Sequence, residues 1–244
     1  MKGRGTLVFA LFTLAATSAA AQESTRFFTI NGGYQSSAKT VTGTQVFSKY
    51  DEDGETATSY RRAPRGMVDL GLGMRVRRKV VVGAVVSWSA AGESADIVGK
   101  VPHPLFVSQI RTGTASATLR HSEVALHLQA HWIIPLPKAM DLTVAAGPSI
   151  FRVAQEVVTG GAQDPEVGAP YDKVKIAPLT TETRRKVAAG FNVGIDIVRM
   201  FTARWGAGLA VRYTHAKADV GKDPSSIELE AGGVQAGLGL RMRF

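Results

Sequence analysis

The chain contains no cysteine. That excludes a disulfide framework, a thiolate metal site and a lipid-acylated cysteine, so stability has to come from hydrogen bonding and packing. Beyond residue 21 the sequence also lacks any run of ~18 consecutive apolar residues, too little for a helix that crosses a bilayer. If the chain enters lipid, only a closed β-barrel satisfies every backbone donor and acceptor. Aromatic residues are 7% of the 244, so the places where they fall carry information. Acids are the scarcer charge, 20 against 29 Lys and Arg. A basic excess admits nucleic acid as a partner only where the cations gather on one stripe or module.

Lys2 and Arg4 precede an apolar run from Leu7 to Ala16, and Ala19-Ala20-Ala21 stands before Gln22. This order of basic, apolar and small residues predicts a secretory signal peptide over 1–21 and a single mature domain over 22–244. The apolar run is about half the ~20 residues that a spanning helix needs.

In the mature part, residues alternate with a period of two. Val234, Ala236, Leu238, Leu240, Met242 and Phe244 share one face, opposite Gln235, Gly237, Gly239, Arg241 and Arg243. Trp205 to Tyr213 and Val187 to Ile197 repeat the pattern, and five further segments carry it: Arg26 to Gln35, Gly66 to Arg77, Val80 to Ala90, His121 to Ile134 and Asp141 to Val153. Pro148 lacks a ladder donor, which predicts a bulge. The expected fold is all-β, an eight-stranded antiparallel up-and-down transmembrane β-barrel.

Connections alternate in length. Arg78-Lys79, Pro135 to Met140 and Met200 to Ala203 are short, whereas Ser36 to Arg65, Ala91 to Arg120, Ala154 to Thr183 and Ala216 to Ile227 are long. Short periplasmic turns, longer extracellular loops and an even strand number are the pattern of the bacterial outer membrane. A soluble eight-stranded barrel such as a lipocalin alternates too, but needs its polar face well solvated. Here that face is mostly Gly, Ala and Ser with charges at intervals, which suits a narrow lumen. Trp88, Trp132, Trp205, Tyr34, Tyr213 and Phe244 fall near strand ends on the apolar face, as interfacial girdles do.

The segment Ala231 to Phe244, with Gly208-Leu209-Ala210-Val211-Arg212-Tyr213, resembles the small outer-membrane β-barrel proteins of the OmpA/OmpX type. The resemblance implies an outer-membrane location. It also implies that Leu238, Leu240, Met242 and Phe244 form the signal read by the barrel-assembly machinery.

Strand directions sort the lumen charges into two tiers. Asp69, Glu123, Lys186 and Arg212 fall toward the extracellular mouth, and Arg75, Asp196, Arg204 and Arg241 toward the periplasm. Charges of both signs in a desolvated lumen have to pair, as a structural plug or as the gate of a narrow pore. The hairpin through Met200 to Ala203 suggests Arg204 as the partner of Asp196. His127 and His131 share the lumen face about 13 Å apart at ~3.3 Å per residue, too far for one metal ion. They are expected as hydrogen-bonded lumen residues, with no metal and no cofactor.

The stretch around His215 resembles the strand that carries the catalytic histidine of outer-membrane lipid A deacylases. The family's nucleophilic serine falls on Lys217 here and its asparagine on Ala218, so no acyl acceptor is in position. Basic residues gather on the short-turn side, where Arg26, Arg75, Arg77, Arg78, Lys79, Lys138, Arg199, Arg204, Arg241 and Arg243 face only Glu23 and Asp141. The long connections are close to neutral. This rim, with Arg77, Arg78 and Lys79 at its centre, is expected to meet anionic lipid headgroups, not nucleic acid.

The expected function is a non-enzymatic surface barrel serving envelope structure, adhesion or recognition, with a possible extracellular ligand held by the loops. A narrow channel for ions or very small solutes is the alternative, and a lipid A-modifying barrel enzyme the third.

Overall fold

Alternation of apolar and small or polar side chains is what a strand between lipid and a narrow lumen requires. The computed structural model describes residues 26–36, 41–160, 167–176, 179–219 and 228–244; the expected signal peptide over 1–21 lies outside them. Ten strands run in order: β1 (Arg26–Ser36), β2 (Val41–Lys49), β3 (Glu52–Arg61), β4 (Arg65–Arg77), β5 (Val80–Pro102), β6 (Ile110–Leu136), β7 (Met140–Gly160), β8 (Thr180–Met200), β9 (Trp205–Asp219) and β10 (Glu228–Arg243).

Eight of these close a ring. Every neighbour pair is antiparallel, β1 with β10 and β4, then β4 with β5, β5 with β6, and onward through β7, β8 and β9 to β10. The seam is tied twice, since the Arg26 amide donates to the Phe244 carbonyl at 3.0 Å and the Phe244 amide returns a bond to Arg26 at 3.1 Å. Closure leaves the ring no edge strand.

The long connections differ from the loops the sequence suggested. The first holds the β2–β3 hairpin, and β3 pairs with the upper part of β5 from Glu55↔Lys100 to Arg61↔Ser94. The second is nearly all strand, for β5 and β6 stay paired from Val80↔Trp132 to Pro102↔Ile110. In these extensions the outward face meets water instead of lipid, so Thr, Ser and Gly replace the large apolar residues while the backbone pairing continues.

The bulge expected at Pro148 is absent. Pro148 pairs with Phe191 on the β8 side, and on the β6 side the register before and after it is the same. The ladder simply skips the proline, and Asn192 Nδ2 donates to the Gly147 and Pro148 carbonyls at 2.9 and 3.2 Å. Gly147 permits this close approach, because a Cβ there would collide with the Leu128 carbonyl oxygen.

Large apolar side chains stand exposed around the ring, among them Leu70, Leu72, Leu126, Leu128, Ile195 and Leu240. Tyr34, Trp88 and Tyr213 mark the upper border of this band, and Trp132, Trp205 and Phe244 the lower. From Trp205 to Tyr213 is ~26 Å along the strand at ~3.3 Å per residue, or ~20 Å of height at a tilt near ~40°. That falls within the apolar band of ~25 Å on outer-membrane barrels, and an apolar belt of this extent would not persist in water.

Candidate functional site: the sealed lumen and the extracellular arm

Inward positions of the upper barrel build a dry core. Tyr60, Ile97, Leu119, Phe151, Val153 and Val157 are buried together, with Ile176 from the β7–β8 connection packed on them. Burial pushes the Tyr60 phenol up. On the outer surface nearby, the Arg120 amide and the Thr181 hydroxyl donate to Glu156 and hold its carboxyl below the usual range.

Beneath the Ile97 and Leu119 part of this core, and beside Phe151, lies a charged layer. Glu123 accepts from Arg65 at 2.5 Å, Gln35 at 2.8 Å and the Gly232 amide at 3.1 Å, and its Oε1 lies 2.9 Å from His121 Nε2. Arg65 also donates to Ser89 at 3.1 Å and faces Glu93 at 3.6 Å. The side chains of Arg65 and Glu123 are 0% and 3% exposed, so the pair is withdrawn from solvent on both sides. One step lower, Arg212 grips both oxygens of Asp69 at 3.1 and 2.9 Å across the lumen. Its Nε donates to Gln235 at 2.6 Å, and Gln235 donates to Gln35 at 3.0 Å, which joins the two layers.

His127 lies between two serines, with Ser87 Oγ 2.7 Å from Nε2 and Ser149 Oγ 2.8 Å from Nδ1. All three are buried, and this serine–histidine pairing has no open face for a substrate. His131 lines the lumen cavity below. No group of His, Asp and Glu among the described residues is placed to hold a metal ion.

Asp196 pairs with Arg241, not with Arg204. Arg241 Nε and Nη2 both donate to its carboxylate at 2.8 Å, and Nη1 donates to Asn31 at 2.6 Å. Asp196 stands on β8 and Arg241 on β10, so the contact passes over β9 at Gly208. A Cβ at that position would lie 2.8 Å from Asp196 Oδ1 and 2.9 Å from the Arg241 guanidinium. Arg204 is exposed in the β8–β9 turn, where its carbonyl accepts the Arg243 amide.

Lys186 is exposed on β8, and no described ion pair includes it. Arg75 is at the lower rim, donating to the Arg78 carbonyl at 3.3 Å and lying over the Phe27 ring. The upper layer therefore uses Arg65, Glu93, His121 and Gln35, which sequence reasoning did not assign to it. The signal was present, since Arg65 and Glu93 keep the inward phase of Asp69 and Ser87 beyond the apolar segments.

Below the Asp69–Arg212 layer the lumen holds a small cavity lined by Asn31, Gln129, Asp196, Arg212 and Arg241. A second lies toward the short-turn end with Thr29, His131, Asp141, Thr143, Asp196 and Arg241 on its walls. They share Asp196 and Arg241, so space in the lower barrel ends against the charged layers and the apolar core.

At the short-turn rim Arg77, Arg78 and Lys79 are exposed, while Arg243 is paired with Asp141 at 2.6 Å. Leu238, Leu240 and Phe244 are exposed on the lipid-facing side of β10, with Met242 half-buried among them. His215 stacks on Tyr213 and lies beside Phe191 on the outside of the barrel.

At the other end, β5 and β6 extend above the membrane belt as a two-stranded arm from Ala91 to Arg120. The first half alone is ~40 Å long at ~3.3 Å per residue. The β3 strand braces it, with Lys100 to Glu55 at 3.2 Å and an exposed ion pair between Arg61 and Asp96. Arg111 crosses the base of the apex and donates to the Pro102 and Tyr171 carbonyls at 2.8 and 2.7 Å.

A closed ring of eight antiparallel strands, apolar outside, ion-paired within and short-turned at one end, defines an outer-membrane β-barrel protein, and the cell outer membrane is where it resides. No family model matches the chain, and none of the curated proteins does. Among solved structures, the chain is similar to OprG of Pseudomonas aeruginosa, at 10% identity and a TM-score of 0.49 over 91% of this chain and 97% of that one. It is similar to the outer-membrane protease OmpT of Escherichia coli, at 9% identity and 0.47 over 93% and 99%. Neisserial surface protein A aligns at 9% identity and 0.42 over 90% and 97%. The class rests on this chain's own ring and lipid-facing belt.

Proposed function

We propose that this barrel is a non-enzymatic surface protein whose extracellular strands, not its lumen, carry its activity in recognition or adhesion. The observation that carries the reading is the filled upper lumen, with Leu119 and Ile97 packed above the Arg65–Glu123 and Asp69–Arg212 layers and Phe151 wedged beside them. A conducting path would have to part several buried ion pairs and a dry core together, and parting one such pair alone costs about 3–5 kcal/mol. The braced β5–β6 arm supports the same reading, since it sets a large ordered surface outside the membrane. The serine–histidine contact at His127 is sealed from substrate, and Lys217 stands where an acyl-transfer nucleophile would be required.

The test is single-channel recording of the refolded protein in planar bilayers. The expected record is flat at the current noise level, with heat-modifiable gel mobility showing that the barrel is folded. Discrete, reproducible conductance steps from the folded protein would instead support the narrow channel.

A further inference from the structure

Just above the apolar belt, the outward face is cationic on one side of the barrel. On β7 the outward position above Ile150 is Arg152, and on β8 the one above Val187 is Arg185; both are exposed, as is Arg120 on β6. Register brings them together, since Arg152 lies opposite Val187 and Arg185 opposite Ala154, one outward step further along β7. Arg152 and Arg185 are therefore diagonal neighbours with Cβ atoms ~7 Å apart, close enough for two long side chains to meet over one group. Arg120 stands one outward step beyond Ser122, which is opposite Ala154 on the β6 side. The corresponding outward positions on three other strands, Ser36 on β1, Gly66 on β4 and Ala90 and Gly92 on β5, carry no charge.

The neighbouring charges do not reverse this sign. No described ion pair includes Arg120, Arg152, Arg185 or the adjacent exposed Lys186. Glu156 shares the face, and its carboxylate already accepts from the Arg120 amide at 3.0 Å and the Thr181 hydroxyl at 2.7 Å. Glu182 is paired with Arg184 at 3.6 Å, and Lys217 on β9 lies opposite Glu230 in the ladder with β10. Asp172, Lys173 and Lys175 belong to the connection whose Val174 lies against β6 at Gly113, on the inward phase of that strand. Ile150, Val187 and Phe191 stand exposed beside and below the arginines, so the cations begin where the large apolar side chains end.

We propose that Arg152 and Arg185, with Arg120 above them, bind the phosphate of an anionic lipid in the extracellular leaflet. This goes beyond the surface-recognition reading and rests on the membrane belt alone. Position fixes the source. Trp88 and Tyr213 border the belt near this level, as aromatic side chains do at headgroups, so headgroups occupy the space into which the arginines extend. Chemistry fixes the group, because a guanidinium presents its donors in a planar fork that matches two phosphate oxygens. Two such forks from adjacent strands can close on one phosphate. Charges that merely kept the rim out of hydrocarbon would serve as well on β1, β4 or β5, where the matching positions are neutral.

Because the chain has no cysteine, Ala154→Cys places a single dye on this face, between Ser122 and Arg185. The full barrel carrying it is reconstituted in phosphatidylcholine nanodiscs with a minor share of lipid bearing a quencher on its acyl chain, either phosphatidate or phosphatidylcholine. At low salt, quencher-bearing phosphatidate should be enriched at the dye about five- to tenfold over quencher-bearing phosphatidylcholine. Arg152→Gln with Arg185→Gln should bring that ratio close to one. Gln at Arg77, Arg78 and Lys79, on the opposite rim, should leave it unchanged. Inorganic phosphate should lower it no more than sodium chloride of equal ionic strength. Heat-modifiable mobility confirms that each variant is folded. Equal quenching by the two lipids, or a ratio that survives the double Gln change, overturns the proposal. So does an equal loss in the opposite-rim variant, which would assign the effect to net charge. A greater loss with inorganic phosphate than with chloride would make this a site for soluble anions and remove the lipid.

Discussion

Glu123→Ala is the sharpest perturbation of the upper lumen. The carboxylate faces Arg65, His121, Gln35 and the Gly232 amide. Removing it leaves the Arg65 guanidinium, fully buried, with Glu93 as its remaining anion at 3.6 Å. Stranding one member of a buried pair costs about 3–5 kcal/mol, and an orphaned buried donor such as the Gly232 amide adds about 1–3 kcal/mol. Relaxation and entering water will return part of this, so a loss of about 3–5 kcal/mol in all is expected. Unfolding by urea in detergent micelles, followed by the loss of heat-modifiable mobility, reads it. Combining Glu123→Leu with Arg65→Met should cost less than the sum of the single changes, with a coupling of at least about 1 kcal/mol. Additive losses, or a Glu123→Ala loss below about 1 kcal/mol, would refute the claim that this layer depends on the pair.

Asp196→Ala frees Arg241 from its bidentate partner but leaves Asn31 in place beside a cavity, so its loss should be smaller, about 1–3 kcal/mol in the same assay. The Arg204→Ala change should show no coupling to it, and conductance should stay at baseline because the upper layers remain closed. At the rim, we propose that anionic headgroups attract Arg77, Arg78 and Lys79; replacing all three with Gln removes about 1 kcal/mol each at low salt. The variant should fold more slowly into anionic bilayers, with the difference fading toward 1 M salt as the Debye length falls to about 3 Å. Equal folding rates at low salt would make the rim a solvated turn with no lipid role.

The membrane part of the fold was legible because each strand there has two different solvents. Between Trp205 and Tyr213, lipid on one side and a narrow lumen on the other force large apolar residues to alternate with Gly, Ala and Arg, and a period of two is the direct result. The same force stops at Ala91. Beyond it the outward face of β5 and β6 meets water, which accepts Thr, Ser and Gly, so a continuous paired arm read as a loop, and the β2–β3 hairpin was missed for the same reason. Phe244 and the rim cations could be placed from strand direction alone.

Partners inside the lumen could not, because they depend on ring closure. Counting along the chain favoured Arg204 for Asp196, being only one short hairpin away. In the closed ring, Gly208 carries no side chain to separate Asp196 from Arg241, and that strand-skipping contact wins. Arg65 likewise reaches Glu123 from β4 to β6 past Ser89 on β5. Sequence period determines which face a residue takes, since side chains alternate whatever the strand's neighbours are. Which charge meets which, and whether the lumen is open or filled, was decided only when eight strands closed at one stagger and brought residues far apart in the chain within hydrogen-bond reach.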